Sequence, residues 1–282
     1  MITQKNNFLW NKSNALLRYL LVHTCSNITP LYIVNEYPKS GGTWLAQMLS
    51  EILKIPFPRN RLPMLRPSII HGHMMHKWNM KNLVLLWRDG RDVLISQYYH
   101  WLFKNDRGNE RLVHQCRKDL AFPDYDDISN NLPAFMEYVY LNPRSPKFTW
   151  AEFVDNWFET DQIISVRYED LLEDAAIELQ RIYFHLFGVQ LDIDLAEEVK
   201  NKYSFKAQHG RSPGNERVGS FARKGVSGDW ENHFSRQAKH QFNQLAGNAL
   251  IKLGYESDSS WLNNNVSNNT FVKVARNRRL VT

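Results

Sequence analysis

The sequence predicts an α/β fold, a single domain with a central parallel β-sheet flanked by helices. Three observations predict it. Short apolar or β-branched runs at Leu31–Val34, Leu83–Trp87 and Ile163–Tyr168 read as buried strands, and each runs into a polar turn. Helical periodicity follows each turn, at Thr43–Leu53, Asp92–Phe103 and Glu178–Phe187, and strands that alternate with helices imply parallel pairing. The 282 residues, 43% hydrophobic and 13% aromatic, suffice for one large core and contain no internal repeat.

Taken in order, residues 8–24 read as an N-terminal helix. Its apolar stretch, Ala15–Val22, is interrupted by Arg18 and falls short of the roughly 20 residues that a membrane span needs. It follows a polar leader without a small-residue cleavage pattern, so it does not read as a secretion signal. The first strand, the loop of residues 37–44 and a helix come next. The second strand leads into the charged turn Arg88-Asp89-Gly90-Arg91 and another helix. Residues 104–156 are mixed, with a loop around Phe122–Pro133 and helical pieces at Pro133–Leu141 and Thr149–Phe158. This stretch is expected to cap an acceptor site. The third strand and its helix complete a core of about 30–256, and residues 257–282 form an Asn/Ser-rich tail expected to be flexible.

Composition narrows the chemistry. The formal charge of +6 favours an anionic ligand, but the excess is spread along the chain and partly gathered in the terminal Arg276-Asn277-Arg278-Arg279, which is weak support for nucleic-acid binding. Cys25 and Cys116 are too few and too isolated for a disulfide framework or a zinc-thiolate site, which fits a reducing cytoplasm. No integral membrane segment and no nucleic-acid partner are expected.

The loop Tyr37-Pro38-Lys39-Ser40-Gly41-Gly42-Thr43-Trp44 stands between a strand and a helix. Backbone N–H groups of a Gly-containing turn, a lysine ammonium and a helix N-terminus converge there on one place, which suits a phosphate. It is not the nucleoside-triphosphate loop, in which Lys follows the second glycine and a Ser or Thr for magnesium follows Lys. Here Lys39 precedes both glycines. The octapeptide resembles instead the 5'-phosphosulfate loop of the PAPS-dependent sulfotransferases of the soluble, cytosolic type, Tyr-Pro-Lys-Ser-Gly-Thr-Thr-Trp. Only Gly42 departs, where that family has Thr. The resemblance implies a P-loop-kinase-like sheet, 3'-phosphoadenosine 5'-phosphosulfate as co-substrate and no metal.

Further segments carry the same resemblance. Arg88 at the second strand's end and Ser96 inside the next helix match the family's 3'-phosphate motif, where a guanidinium fork and a hydroxyl meet phosphate oxygens. Arg91 and Asp92 read as an internal ion pair. Arg223-Lys224-Gly225-Val226-Ser227-Gly228-Asp229-Trp230 is similar to the C-terminal Arg-Lys-Gly-x-x-Gly-Asp-Trp segment, whose basic pair closes over the 3'-phosphate in that family. Tyr168-Glu169-Asp170 and Tyr203-Ser204-Phe205 resemble its adenine-side elements, with Trp44, Tyr168 and Phe205 as aromatic faces for a purine.

The segment His71-Gly72-His73-Met74-Met75-His76 precedes the second strand as the family's Lys-Thr-His does, which aligns His73 with its catalytic base. An imidazole of pKa about 6.5 accepts a proton from an acceptor hydroxyl at physiological pH. His71 and His76 are rivals, and the three could hold a metal, but no carboxylate or cysteine partner is evident in the sequence nearby. Lys39 is expected to neutralise the bridging oxygen as the S–O bond breaks. His71 stands where the family has a second lysine. The family's dimer signature is not matched at Glu231–His240, so a dimer through that contact is not expected. Trp78, Tyr98, Tyr99, Trp101, Phe135 and Tyr138 are candidates for an apolar pocket taking a small or lipid-like hydroxyl, or for core. An ATP-dependent kinase and a non-catalytic nucleotide or polyanion binder are the rival readings.

Overall fold

The computed structural model describes residues 13, 16–18, 20–22, 31–59, 67–75, 80–144, 146–160 and 163–263. Four parallel strands form one sheet in the order β2-β1-β3-β4: β1 Leu31–Glu36, β2 Ser68–Gly72, β3 Leu83–Trp87 and β4 Ile164–Arg167. The helices of use below are α1 Gly42–Leu53, α2 Gly90–Leu102, α3 Glu110–Asp119, α4 Ile128–Leu141, α5 Trp150–Trp157, α6 Tyr168–Phe187, α7 Ile193–Lys202, α8 Phe205–His209 and α9 Arg236–Lys252. The described part of the N-terminal stretch is helical. The tail beyond 263, His76, Trp78 and Cys25 lie outside the described residues.

Strand alternation sorts the core into two layers, because successive side chains point to opposite faces of a sheet. Leu31, Ile33, Ile70, Leu83, Leu85 and Trp87 meet α2, α4, α5 and α9 on one face. Val34, Ile69, Val84, Leu86, Ile164 and Val166 meet α1, α6 and α7 on the other. Each fully buried large side chain, such as Phe153 and Trp157 of α5, contributes about 1.5–3 kcal/mol over its exposed state.

The structure adds one strand to the three expected. Ser68–Gly72 pairs with β1, with Val34 beside His71 and Asn35 beside Gly72. Only three of its residues, Ser68, Ile69 and Ile70, are buried, so its apolar run is too short to stand out. Helix α4 starts five residues before Pro133, where the sequence predicts its beginning. Proline forfeits one backbone hydrogen bond there, while Ile128, Leu132, Phe135, Met136 and Val139 bury one continuous face. Helix α6 begins at Tyr168, ten residues ahead of the expected start, with a non-helical kink at Asp174. Tyr98, Trp101 and Phe135 are core, whereas Tyr99 and Tyr138 are only partly buried.

From β1 the chain crosses over α1 to β2 on one side, while β3 lies on the other. The crevice beyond the C-terminal ends of β1 and β3 is therefore a topological switch point, where open α/β sheets bind ligands. The loop after β1 holds Lys39 and the turn after β3 holds Arg88.

Candidate anion and sulfonate-transfer site

The loop after β1 is held under backbone strain. Lys39 sits at φ +77°, a left-handed conformation that costs a non-glycine residue about 1–3 kcal/mol. Arg88 Nη1 donates to its carbonyl at 2.9 Å, and Ser40 N–H donates to Tyr37 O at 3.2 Å. Gly41, at φ +101°, begins α1 without a side-chain cap. A Cβ there would lie 2.7 Å from the Tyr168 ring. Ser40 Oγ and Arg88 Nε are buried without a partner among the described residues, and buried polar groups ordinarily have one.

Lys39 Nζ lies 3.7 Å from the centre of the Phe221 ring. No carboxylate among the described residues is within ion-pair distance of it. Burial, and next the charge of Arg88, lowers its pKa to about 7. Ser96, Tyr99, Phe221 and Arg223 line the cleft beside it, whose free volume is about 10 Å³. That is room for a single water, and the Phe221 ring covers the ammonium.

Arg88 also donates from Nη2 to Val226 O at 3.2 Å and lies over the Tyr168 ring, 4.3 Å from its centre. Arg91 and Asp92 do not pair with each other. Arg91 pairs with Asp89 at 2.7 Å and Glu256 at 2.5 Å. Asp92 instead accepts from Gly228 N at 2.7 Å and Trp230 N at 3.0 Å. Those bonds dock the Arg-Lys-Gly segment on α2, beside Arg88.

In that segment Arg223 reaches Glu216 at 2.5 Å and also Asp229, and Lys224 reaches Asp229 at 2.5 Å. Burial opposes ionisation of Asp229, but the His233 ring 3.5 Å away and the hydrogen bonds from Arg223 and Lys224 hold its carboxyl well below the usual range. Gly225 adopts φ +67° with the Phe205 ring where a Cβ would stand. On the same side Trp44 donates to Tyr203 O at 2.8 Å and meets Tyr168 edge-on, centroids 5.9 Å apart. Ser204 caps α8 by accepting from Ala207 N at 3.3 Å.

Across the crevice, the β1–β2 register brings Glu36, His71 and His73 together. Glu36 is 3% exposed. Its Oε1 meets His71 Nε2 at 2.9 Å and its Oε2 accepts the Gly42 N–H at the head of α1. Burial pushes its pKa up, but the His71 hydrogen bond, the charges of His71 and His73 and the Gly42 N–H bring it below the usual value. His73 is an exposed residue, and its Nδ1 is 3.0 Å from Glu36 O. An Nδ1–H donated to that carbonyl leaves the Nε2 lone pair free. The protein packed around the cleft, and then His71, lowers its pKa to about 4. Asn35 exchanges two hydrogen bonds with the Met74 backbone, at 2.9 and 2.8 Å, and Trp157 Nε1 donates to the same carbonyl at 2.8 Å. These bonds fix the chain beside His73.

Asn35 and Glu36 escaped the sequence reading. An acidic residue directly ahead of a phosphate loop was the available signal, because a buried carboxylate there needs a cation. The structure supplies the carboxylate that the histidine cluster lacked in the sequence. It also joins two departures from the loop family into one change. A Cβ on Gly42 would lie 2.6 Å from Glu36 Cδ and 2.7 Å from His71 Nε2. Glu36 and His71 fill the space that a side chain on Gly42 would take. Gly42→Ala is expected to lower stability by about 1–3 kcal/mol, as overpacking does. The Gly42→Ala/Glu36→Ala double variant is expected to lose less than the sum of the singles, by about 1 kcal/mol. Denaturant titrations of the four proteins check this, and strict additivity would refute the coupling.

A parallel sheet whose switch-point crevice gathers Lys39, Arg88 and orphaned buried donors defines an anion-binding enzyme of the P-loop-like class. The sulfotransferase domain model matches residues 59–254, downstream of the phosphate loop. The chain belongs to the sulfotransferase family and is a PAPS-dependent sulfotransferase. It is 24% identical to sulfotransferase 1E1 of Cavia porcellus, over 77% of this chain and 84% of that protein. It is 25% identical to sulfotransferase 1 family member D1 of Rattus norvegicus, over 75% and 80%. Its fold is similar to that of mouse sulfotransferase SULT7A1 complexed with PAP, with a TM-score of 0.60 at 17% identity, covering 88% of this chain and 94% of that one. Retinol dehydratase complexed with retinol and PAP gives 0.57 at 16% identity, covering 86% and 85%. No helix among the described residues is long and apolar enough to cross a membrane.

Proposed function

We propose that this chain transfers a sulfonate from PAPS to the hydroxyl, and less readily the amine, of a small or lipid-like acceptor, with His73 as general base and adenosine 3',5'-bisphosphate (PAP) as product. The observation that carries the reading is the convergence of Lys39, Arg88 and the unpartnered Ser40 Oγ at the switch point. Lys39, Ser40, Gly41 and Thr43 would receive the 5'-phosphosulfate at the head of α1, with Gly42 joining them only if its N–H is released from Glu36 Oε2. Arg88, Ser96, Arg223, Lys224 and Gly225 would hold the 3'-phosphate. Trp44, Tyr168, Ser204 and Phe205 would enclose the adenine. His73 removes the acceptor proton in line with the breaking S–O bond, and Lys39 neutralises the leaving oxygen.

The stretch 104–156 would cap the acceptor through its surface beyond the buried faces of α4 and α5 that pack in the core. A lipid-like acceptor is supported by the solved retinol dehydratase complexes, which hold retinol or androsterone. The reading needs no metal, and cytoplasmic residence fits it. Titration with PAP and with ATP tests the donor, and a clear preference for PAP is expected. Equal affinity would return the kinase reading. Arg88→Ala is expected to weaken PAP binding at least tenfold, since a hydrogen bond to a charged group is worth about 1.5–3 kcal/mol. An unchanged PAP affinity would remove Arg88 from the phosphate site.

A further inference from the structure

Glu36, His71 and His73 are a donor set as well as a hydrogen-bonded cluster. One ligating atom from each lies within 4.8 Å of the other two. Two imidazoles and a carboxylate form the three-protein-ligand set of catalytic zinc sites, which keep a fourth position open. Bonds of 2.0–2.1 Å in tetrahedral array separate ligand atoms by about 3.3 Å. His71 Nε2 and Glu36 Oε1 are already 2.9 Å apart.

Two further observations point to a cation. Among the described residues, the only ion-pair partner of the buried Glu36 carboxylate is His71, and a neutral imidazole serves as a metal ligand. His73 is the accessible member and gives an ion its way in. Its Nδ1 is directed at a backbone carbonyl, the orienting bond that ligating histidines commonly make with their other nitrogen. Magnesium and calcium prefer all-oxygen shells, so the set selects a transition ion.

We propose that Glu36, His71 and His73 bind one divalent transition ion of the zinc class and that its occupancy silences sulfonate transfer. The binding half stands on these residues alone. The silencing half rests on the reading of His73 as base, whose lone pair the ion would take.

Chelator-treated full-length protein titrated with Co²⁺ tests the binding half. One equivalent is expected to give the visible bands of a four- or five-coordinate complex, abolished by Zn²⁺ and untouched by Mg²⁺. Glu36→Gln, an isosteric change, and His71→Ala are each expected to weaken Co²⁺ binding at least tenfold, because losing even a hydrogen-bond partner of a metal ligand costs about 10–100-fold. PAP binding by each variant reports that it is folded. Absence of the bands, or their persistence in PAP-binding Glu36→Gln and His71→Ala proteins, would overturn the site. One equivalent of Zn²⁺ is expected to stop transfer by the wild type, and full transfer by the zinc-loaded protein would overturn the silencing. Failure of the sulfotransfer reading looks different, since the Co²⁺ bands would form in a protein that transfers nothing without metal.

Discussion

His73→Ala is expected to lower kcat for sulfonate transfer by about 10²–10⁴-fold, the usual worth of a positioned general base, and to leave PAP affinity nearly unchanged. The acceptor oxygen must lose its proton as it attacks, and His73 is an exposed residue whose Nδ1 is engaged by Glu36 O at 3.0 Å. With its pKa lowered to about 4 by the surrounding protein and then by His71, the imidazole is neutral at physiological pH. It carries a lone pair before any acceptor arrives. The sign follows: kcat/KM reports groups of the free enzyme, so the acid limb assigned to His73 falls below the ordinary histidine range. Asn35 and Trp157 hold the chain at Met74 independently of the imidazole, so the substitution removes a base without loosening its support. Steady-state kinetics with PAP titrations check both halves. Wild-type kcat in the variant would move the base elsewhere, and His71→Ala would then take the loss.

Legibility of the fold tracked the length of apolar runs. β1 and β3 announce themselves because Leu31–Val34 and Leu83–Trp87 are buried on both faces, which makes near-continuous apolar sequence in a parallel sheet. β2 ends in His71 and Gly72, so its outward half carries chemistry instead of packing and reads as a loop. That miss hid the central pairing of the site. His71 and Glu36 are 35 positions apart, and only the β1–β2 register makes them neighbours. The cationic residues were readable, since Lys39 and Arg88 follow strands directly and a parallel sheet brings successive strand ends to one edge. Arg223 and Lys224 were readable from their spacing to Asp229. Their pairing with that carboxylate was not, because it depends on the turn at Gly225 and Gly228, both at positive φ. Nor does any sequence period reveal that Phe221 covers Lys39.

Lys39→Ala is expected to reduce kcat by about 10²–10³-fold, the loss typical of one group that stabilises charge developing in the transition state. Its free-state pKa is near 7, lowered first by burial and then by Arg88, and only the ammonium form serves. As pH rises through 7 that charge is lost, so PAP affinity should fall by up to about tenfold per pH unit above 7. Bound phosphates favour the charged form and raise its pKa. Binding must therefore take up protons, about half a proton at pH 7 and close to one at pH 8. Calorimetric titrations with PAP in two buffers of different ionisation enthalpy measure that number directly. Lys39→Arg keeps a charge that does not titrate below pH 12 or so, and is expected to abolish both the uptake and the slope. A backbone account of the loop predicts otherwise. Arginine and alanine suffer the same left-handed strain at φ +77° as lysine does, so if geometry alone mattered the three proteins would bind PAP alike at every pH. A pH-independent affinity without proton uptake in the wild type would show that the Lys39 charge does not meet the phosphates.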